Sequence, residues 1–527
     1  MIGRERRYLR ESSAEKEKQV YCKINSMTVR GIDGVPVAVE VDISTGLPEF
    51  SLVGDLAPEV REAKERIRTA LRNTGFAIPP RRITVNLAPA DLRKEGTAFD
   101  LAIAIGILTA NEELPMTVTN ETVVFGELGL DGSVCPVAGV LPMVLKAREQ
   151  GFRYCVVPAA NYAEASVAEG IRLYGAEDLT SAAAFFKEEE KRAPGPRPSL
   201  NTGEEPVYDV DFSEINGQRT MRRAAEVAAA GMHNLLLVGS PGSGKTMIAR
   251  RLPTILPELT WEESLEVTQV YSVCGFLPPG QAMIRIRPFR APHHTISASA
   301  LVGGGPYPRP GELSLASHGV LFLDELPEFQ KSALEALRGP LEDRIVHISR
   351  VKGSCTFPAD VMVCAAMNPC RCGYYPDRTR CSCTEGDVRR YLHRISRPLL
   401  DRMDLCVEAP PVGYDEIGGT WENEASAAIR SRVEAAWMIQ RSRFEGRKIL
   451  FNAQMSGREI RKWCALQEKE AKLMERVFHK LELSARGYHK VLKVARTIAD
   501  LDGSDRIKEP HLMEALGYRG LEKQFWG

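Results

Sequence analysis

A glycine-rich stretch ending in lysine and threonine, residues 239–246, has the residue types of a phosphate-binding loop. Its letters, GSPGSGKT, fit G-x-x-x-x-G-K-[ST] at every fixed position; an apolar run precedes them and a helical pattern follows. Glycines let backbone N–H groups point inward at an anion, and the helix N-terminus adds partial positive charge. The lysine suits the outer phosphates and the threonine hydroxyl suits Mg²⁺. The predicted ATP and Mg²⁺ ligands are Gly239, Ser240, Pro241, Gly242, Ser243, Gly244, Lys245 and Thr246.

Two later apolar runs end in polar side chains that suit ATP hydrolysis. The carboxylates Asp324 and Glu325 follow one run, and Asn368 follows the next. Ligands bind at the carboxyl ends of buried parallel strands, so these side chains should meet the loop. There Asp324 can hold Mg²⁺ and Glu325 can polarise the attacking water. Asn368 can orient that water or contact the γ-phosphate, or it can simply cap the strand.

An arginine in the motif LLDRMD, Arg402, follows a basic helical stretch. An arginine near a nucleotide stabilises the negative charge that develops on the transferred phosphoryl group, and a neighbouring subunit often supplies it. We therefore predict a catalytic role for Arg402. The alternative is a surface ion pair with Asp401 or Asp404.

Four cysteines lie in two C-x-C pairs separated by eight residues. Four thiolates can enclose Zn²⁺ tetrahedrally, and the position directly after Asn368 favours a structural ion over a catalytic one. Reduced thiols or a disulfide are the alternatives. The predicted zinc ligands are Cys370, Cys372, Cys381 and Cys383.

Basic residues in two places can hold DNA. The chain has 69 basic and 69 acidic residues, so nucleic-acid binding has to come from local clusters and not from net charge. One cluster lies between the P-loop and Asp324, and the other precedes Gly353, where a hairpin would turn. The alternative is that both clusters are solvent-exposed loops that bind nothing. The predicted DNA contacts are Arg285, Arg287, Arg290, His293, His294, Arg350 and Lys352.

The elements that must position these residues follow from apolar periodicity. Strands and helices alternate around the P-loop, which predicts an α/β core. The N-terminal part mixes strands at 37–43 and 83–87, helices at 60–73 and 99–110, and a hairpin turning at Asp131-Gly132, which predicts an α+β domain. The C-terminal part is helical throughout and suits a lid over a nucleotide. The predicted divisions are a charged tail 1–20, a domain 21–187, a linker 188–207, a core 208–413 and a lid 424–527.

Composition excludes several classes. The longest mostly apolar stretch, Leu101–Ala110, is too short to span a bilayer. The N-terminus has no apolar core, so it is not a secretory signal. Twelve cysteines suit a reducing compartment, and we expect a cytoplasmic protein.

Four motifs resemble the Walker A, Walker B, sensor 1 and arginine-finger motifs of an AAA+ ATPase: in that order, the P-loop, Asp324-Glu325, Asn368 and LLDRMD. The subfamily that the chain resembles is the magnesium-chelatase-like ATPases of the ComM/YifB group. The resemblance implies that Arg486 is the sensor 2 arginine. It implies a ring, a hexamer, with ATP sites between subunits. It also implies single-stranded or branched DNA as substrate of a helicase that promotes branch migration in natural transformation or recombination, with the two basic insertions in the central pore. The matching segments are residues 41–48, 82–96, 290–295 and 484–500.

The first domain resembles the Lon protease domain, a ribosomal S5 domain 2-like fold, through residues 126–139. Lon uses a Ser–Lys pair. Those positions fall at about Ala98 and at Leu141 here, and neither can do the chemistry. Thr97 is adjacent but has no matching base, so we expect a binding or assembly platform. The alternative functions are a magnesium-chelatase-type motor subunit and an ATP-dependent peptidase relative without protease activity.

Overall fold

The computed structural model describes residues 20–189, 208–350, 353–411 and 423–526. Its contacts divide the chain into two compact units: Met1–Gly203 with Thr268–Ile284, and Glu204–Val267 with Arg285–Gly527. The predicted core and lid therefore fall in one unit, while a short piece from within the predicted core joins the first unit. The predicted tail up to residue 19, the linker from residue 190 and Lys352 lie outside the described residues.

The first unit is built on a seven-stranded mixed sheet with the order β3-β4-β2-β1-β5-β8-β9 and a separate β6-β7 hairpin. Its strands are β1 (Val20–Arg30), β2 (Asp33–Ser44), β3 (Glu49–Val53), β4 (Arg82–Ala88), β5 (Thr122–Val124), β6 (Glu127–Leu128), β7 (Val134–Cys135), β8 (Tyr154–Pro158) and β9 (Arg172–Ala176). Its helices are α1 (Pro58–Asn73), α2 (Asp100–Ala110), α3 (Val140–Glu149), α4 (Tyr162–Ala165) and α5 (Leu179–Lys187).

Apolar spacing explains these elements. In α1 the buried residues Val60, Ala63, Ile67, Ala70 and Leu71 follow a helical period and form one face. Helix α2 is buried on all sides, as its continuous apolar run predicted. The strands and helices predicted for this part are confirmed, except that the hairpin is limited to the short strands β6 and β7.

The second unit contains a five-stranded parallel sheet with the order β11-β14-β17-β10-β18, which confirms mixed α/β content around a parallel sheet. Two short antiparallel pairs accompany it. Its strands are β10 (Leu235–Gly239), β11 (Phe289–Arg290), β12 (Gly303–Gly304), β13 (Arg309–Pro310), β14 (Val320–Leu323), β15 (Ile345–Arg350), β16 (Gly353–Pro358), β17 (Met362–Met367) and β18 (Leu405–Ala409).

Helices cover this sheet and make up the C-terminal part. They are α6 (Arg219–Gly231), α7 (Lys245–Ile255), α8 (Trp261–Cys274, whose end belongs to the first unit), α9 (Ala298–Val302), α10 (Glu312–Leu315), α11 (Lys331–Ala336), α12 (Arg338–Asp343), α13 (Glu385–Leu392), α14 (Arg397–Leu400), α15 (Ser426–Arg443), α16 (Gly457–Trp463), α17 (Glu468–Leu481), α18 (Ala485–Leu501), α19 (Glu509–Gly517) and α20 (Gly520–Trp526). No helix in the described part of the chain is both long and apolar enough to cross a bilayer.

A buried ion-pair network ties two of the C-terminal helices together. Arg443 of α15 donates to Asp500 of α18 at 2.6 Å, and Arg496 lies 3.0 Å from the same carboxylate. The Asp500 side chain has no exposed surface. A buried carboxylate between two guanidiniums is stable only while its partners remain, so this network favours a single helix arrangement.

Parallel strands bring the predicted site residues to one edge of the sheet. The P-loop follows β10, Asp324 follows β14 and Asn368 follows β17, and these three strands are neighbours in the order β14-β17-β10. All of them end at the same edge because the sheet is parallel, and ligands bind at that edge in such folds.

Candidate functional site

The P-loop folds around the ammonium group of Lys245. Its Nζ atom donates to the carbonyl oxygens of Gly239 and Ser240, both at 2.8 Å, and lies 3.3 Å from Oδ1 of Asn368. Gly242 and Gly244 have φ of +77° and +84°, which side chains disfavour. Burial lowers the pKa of Lys245, and the nearby Asp324 carboxylate opposes that shift. An anionic ligand would oppose the same shift, because a nearby negative charge favours the charged form of the lysine.

A carboxylate and a hydroxyl meet beside the loop. The Thr246 hydroxyl donates to Oδ2 of Asp324 at 3.0 Å, and the N–H of Glu325 donates to Oδ1 at 2.9 Å. Glu325 has φ of +53°, a left-handed conformation that is uncommon for non-glycine residues. Hydroxyl and carboxylate oxygens are ligands that Mg²⁺ accepts, so the arrangement can hold that ion next to a phosphate.

Two histidines predicted to contact DNA, His293 and His294, lie next to Glu325. Nδ1 of His294 is 3.3 Å from Oε2 of Glu325, and the His293 and His294 rings stack with centroids 4.1 Å apart. With Arg250 they border a cavity of about 290 Å³ that Thr246 and Asp324 also line. The placement follows from topology: β11 is the neighbour of β14, so residues beyond its carboxyl end reach Glu325.

The prediction that Arg287 contacts DNA is wrong, because its side chain is buried. Its guanidinium donates to the His318 carbonyl at 2.6 Å and pairs with Glu263 at 3.0 Å, with a side chain only 1% exposed. Burial acts to lower its pKa, and Glu263 opposes the shift. Arg290 pairs with Glu312 at 2.6 Å, and Arg285 is half-buried.

The predicted hairpin around Gly353 is present as strands β15 and β16. They pair antiparallel, with Arg350 opposite Gly353. The Arg350 side chain is exposed at the tip. Lys352, the other cation predicted there, lies outside the described residues.

Arg402 and Arg486 lie side by side and share a carboxylate. Arg402 forms an ion pair with Glu342, and Arg486 lies 3.7 Å from the same side chain. Both line a cavity of about 820 Å³ that no P-loop residue borders. The alternative surface pair is not formed within the described residues: Asp404 accepts the Asn234 N–H at 3.0 Å and lies near Lys490.

The four predicted zinc ligands form one cluster. Their Sγ atoms all lie within 4.8 Å of one another; Cys370 is 3.3 Å from Cys372 and 3.7 Å from Cys381. The separations are too long for a disulfide, which has a bond of about 2.05 Å. Burial acts to raise the pKa of the Cys372 thiol, but hydrogen bonds from the Tyr374 N–H and the other thiols lower it to about 6. Burial, together with the Cys372 and Cys370 thiols, raises the pKa of the Cys381 thiol to about 12, so of these two thiols only Cys372 is shifted towards the thiolate.

The Lon-like positions of the first unit carry no Ser–Lys pair. Leu141 is buried in the core, and the Ala98 carbonyl accepts the Gly126 N–H at 2.8 Å. The Thr97 hydroxyl donates to the carboxylate of Glu127. Among the described residues, no lysine ammonium forms a hydrogen bond with the Thr97 hydroxyl.

The sequence analysis did not identify two polar residues of the second unit, Arg250 and Gln218. Arg250 lies one helical turn after Thr246 on α7, a spacing that puts both on one face and could have predicted it. Gln218 is buried beside β18, and its Oε1 atom has no hydrogen-bond partner among the described residues. No local pattern pointed to Gln218, since Pro410, which accepts from its Nε2 at 2.8 Å, is far along the chain.

Comparison with known proteins places each part of the chain. Residues 211–417 match the family described as Magnesium chelatase, subunit ChlI; residues 39–161 match Subunit ChlI of Mg-chelatase; and residues 423–519 match its C-terminal family. The chain is 43% identical to Competence protein ComM of Haemophilus influenzae over 508 residues, covering 94% of this chain and 97% of that protein. It is 41% identical to Uncharacterized protein YifB of Escherichia coli, covering 95% and 97%. Lon protease 2 of Bacillus subtilis is 26% identical over 155 residues, covering 26% of this chain and 28% of that protein.

Proposed function

The chain belongs to the magnesium-chelatase-like AAA+ ATPase family that includes ComM and YifB, and we propose on that basis that it is a ring-shaped, DNA-translocating motor. The observation that carries the ATPase part is the contact of Thr246 with Asp324 at 3.0 Å, next to Lys245 and Asn368. These four side chains converge from three adjacent strand ends. Their types are those of an ATP and Mg²⁺ site.

Each side chain has one role in the proposed hydrolysis. The Lys245 ammonium leaves its two carbonyl partners and binds the outer phosphates. Thr246 and Asp324 hold Mg²⁺, which neutralises developing charge when bound. Glu325 orients the attacking water and accepts its proton, while Asn368 holds the γ-phosphate or the water in line.

A cavity next to the P-loop suits the nucleotide base. It has a volume of about 610 Å³, and its lining combines Gln218, Pro410 and Ile429 with the charged side chains of Arg219, Arg222, Arg223, Glu226 and Glu424. Gly239 packs so closely against Ala409 that an added methyl would lie 2.6 Å from its Cβ, and the next residue after Ala409, Pro410, lines the cavity. The unpartnered Oε1 of Gln218 can accept a hydrogen bond from an exocyclic amino group.

We propose that Arg402 and Arg486 act on the nucleotide of a neighbouring subunit in a hexameric ring. Support comes from their shared position at Glu342, in a cavity that the P-loop does not border. An arginine that is not near its own P-loop contributes to hydrolysis only if another subunit presents its nucleotide there. Each interface of the ring then combines the nucleotide site of one subunit with Arg402 and Arg486 of its neighbour.

DNA is the proposed substrate, as single or branched strands. Support comes from the likeness to a relative named a competence protein and from the exposed Arg350 on the tip of the β15–β16 hairpin. A ring repeats that cation once per subunit, and repeated cations track phosphates without sequence preference. The proposed activity is helicase action that promotes branch migration in natural transformation or recombination.

We propose that the cysteine cluster holds structural Zn²⁺. A Zn–S bond of about 2.3 Å puts the sulfurs of a tetrahedral site about 3.8 Å apart. The Sγ atoms of Cys370, Cys372 and Cys381 lie 3.3, 3.7 and 3.5 Å apart, near that spacing, and Cys383 lies within 4.8 Å of the other three. Metal analysis of protein purified without chelator should find about one zinc per chain; a folded, active and zinc-free protein would contradict the site.

The decisive experiment measures ATPase turnover with and without DNA, and strand displacement and branch migration on forked and four-way junctions. We expect stimulation by DNA and ATP-dependent branch migration, both lost in Glu325→Gln. A normal ATPase that no DNA stimulates, and that moves no junction, would refute the DNA motor. The family's name favours a chelatase motor as second candidate, which would instead require a porphyrin-inserting partner. A peptidase is disfavoured by Ala98 and Leu141.

A further inference from the structure

The cysteine cluster lies on a segment without regular structure. No helix or strand occurs between the end of β17 at Met367 and the start of α13 at Glu385, all of which is described. Turns such as the Gly373 N–H to the Cys370 carbonyl, at 3.1 Å, are its local hydrogen bonds. Fixing such a segment costs conformational entropy that a metal cross-link among four thiolates offsets. We call residues 370–383 the clip.

The clip touches the P-loop through a glycine. Gly373 has φ of +86°, and a methyl added there would lie 2.8 Å from Cγ of Pro241 and closer still to Cδ. Only a residue without a side chain allows this approach. The backbone of the clip therefore rests directly on the second variable position of the phosphate-binding loop.

The clip also begins at the nucleotide site. Asn368, whose Oδ1 lies 3.3 Å from the Lys245 ammonium, precedes Cys370 by two residues. The N–H of Tyr375 donates to the Cys370 sulfur at 3.4 Å, which ties the far side of the turn to the same ligand. Two points on the P-loop, Lys245 and Pro241, are thus linked to one thiol cluster through a short segment.

We propose that the metal-bound clip is a clamp that holds the P-loop in its nucleotide-binding form, so that metal occupancy sets ATP affinity. The proposal rests on the ATP and zinc sites proposed above. With the metal bound, Gly373 presses on Pro241 and Asn368 stays at Lys245. With the metal lost, the segment has no cross-link, and the loop that cradles phosphate loses its support.

Gly373→Ala tests the clamp without touching a ligand. The methyl displaces Pro241 while the four thiols remain, so we expect about one zinc per chain and ATP binding weakened about tenfold, the usual size of an overpacking effect. Gly446→Ala is the matched control: Gly446 also has a positive φ, +71°, but an added methyl meets nothing within 4 Å. Its ATP affinity should stay within about twofold of the parent because only backbone strain changes.

A double variant, Cys372→Ser with Cys383→Ser, tests the metal. We expect loss of zinc, a retained cooperative unfolding transition, and weaker binding of a fluorescent ATP analogue. Gly373→Ala protein that binds the analogue as tightly as Gly446→Ala protein would overturn the clamp, as would a folded, zinc-free double variant with parental affinity. If the parent binds ATP but holds no zinc, the metal-dependent clamp is overturned together with the zinc site, while the proposed ATPase stands. If the parent binds no ATP, the proposed ATPase itself fails.

Discussion

The position of Arg402 leads to a quantitative test of the proposed ring. Its partner Glu342 is 57% exposed, and an exposed ion pair contributes about 0.2–1 kcal/mol. Arg402 also donates hydrogen bonds to the Pro398 carbonyl at 2.8 Å and the Arg338 carbonyl at 3.2 Å, and at about 1 kcal/mol each they bring the stability cost of Arg402→Ala to about 2–3 kcal/mol. An arginine that stabilises phosphoryl transfer contributes about 10³–10⁵ in kcat, or about 4–7 kcal/mol. Activity should therefore fall far more than stability.

Mixed rings distinguish a neighbour's arginine from the subunit's own. We combine equal amounts of Arg402→Ala protein and Lys245→Ala protein, each inactive alone. A complete site needs Lys245 from one subunit and Arg402 from the next, each present with a chance of one half, so about one quarter of the interfaces are complete. ATPase activity should rise to about that fraction of the parental rate if sites act independently.

The control replaces the lysine variant by protein that carries both substitutions. Such mixtures contain no complete interface and should stay inactive. Absence of recovery in the first mixture, with ring mixing verified by mass or by labelled subunits, would refute the role in a neighbouring site. Parental turnover of Arg402→Ala protein alone would refute any role in hydrolysis.

Three other predictions follow from named contacts. Glu325→Gln should bind ATP tightly but not hydrolyse it, because an amide cannot accept the water's proton; near-parental turnover would contradict its role. Arg350→Ala should reduce the slope of log DNA affinity against log salt concentration, measured on single strands, by about 0.7 per lost phosphate contact. His294→Ala should change the ATPase turnover and leave that slope unaltered. The reverse result would indicate that His294 contacts DNA. Asp500→Ala should lower the free energy of unfolding in urea by about 3–5 kcal/mol, because two buried guanidiniums lose their carboxylate. The control Lys472→Ala, which removes an exposed pair with Glu468, should lower it by less than about 0.5 kcal/mol. Equal losses in the two variants would contradict that account.

Chemistry written in consecutive residues was readable before any fold was known. The P-loop, the Asp324-Glu325 pair and Asn368 each follow an apolar run, and the direction of a parallel sheet is enough to predict that they meet. The close approach of Thr246 to Asp324 agrees with that prediction. The C-x-C pairs likewise predicted a cluster, because ligands so close in sequence need only a turn to converge.

Long-range packing decided the rest. The burial of Arg287 depends on its partner Glu263, and the approach of His294 to Glu325 depends on which strand neighbours β14. For Arg402 the sequence offered a catalytic role or, as the alternative, a pair with Asp401 or Asp404, whereas its carboxylate partner is Glu342, 60 residues earlier. A charged side chain in a loop has many possible partners within reach, and their relative desolvation and geometry exist only once the chain has folded. Types and spacing therefore determined the chemistry, while tertiary packing determined which cations are available to perform it.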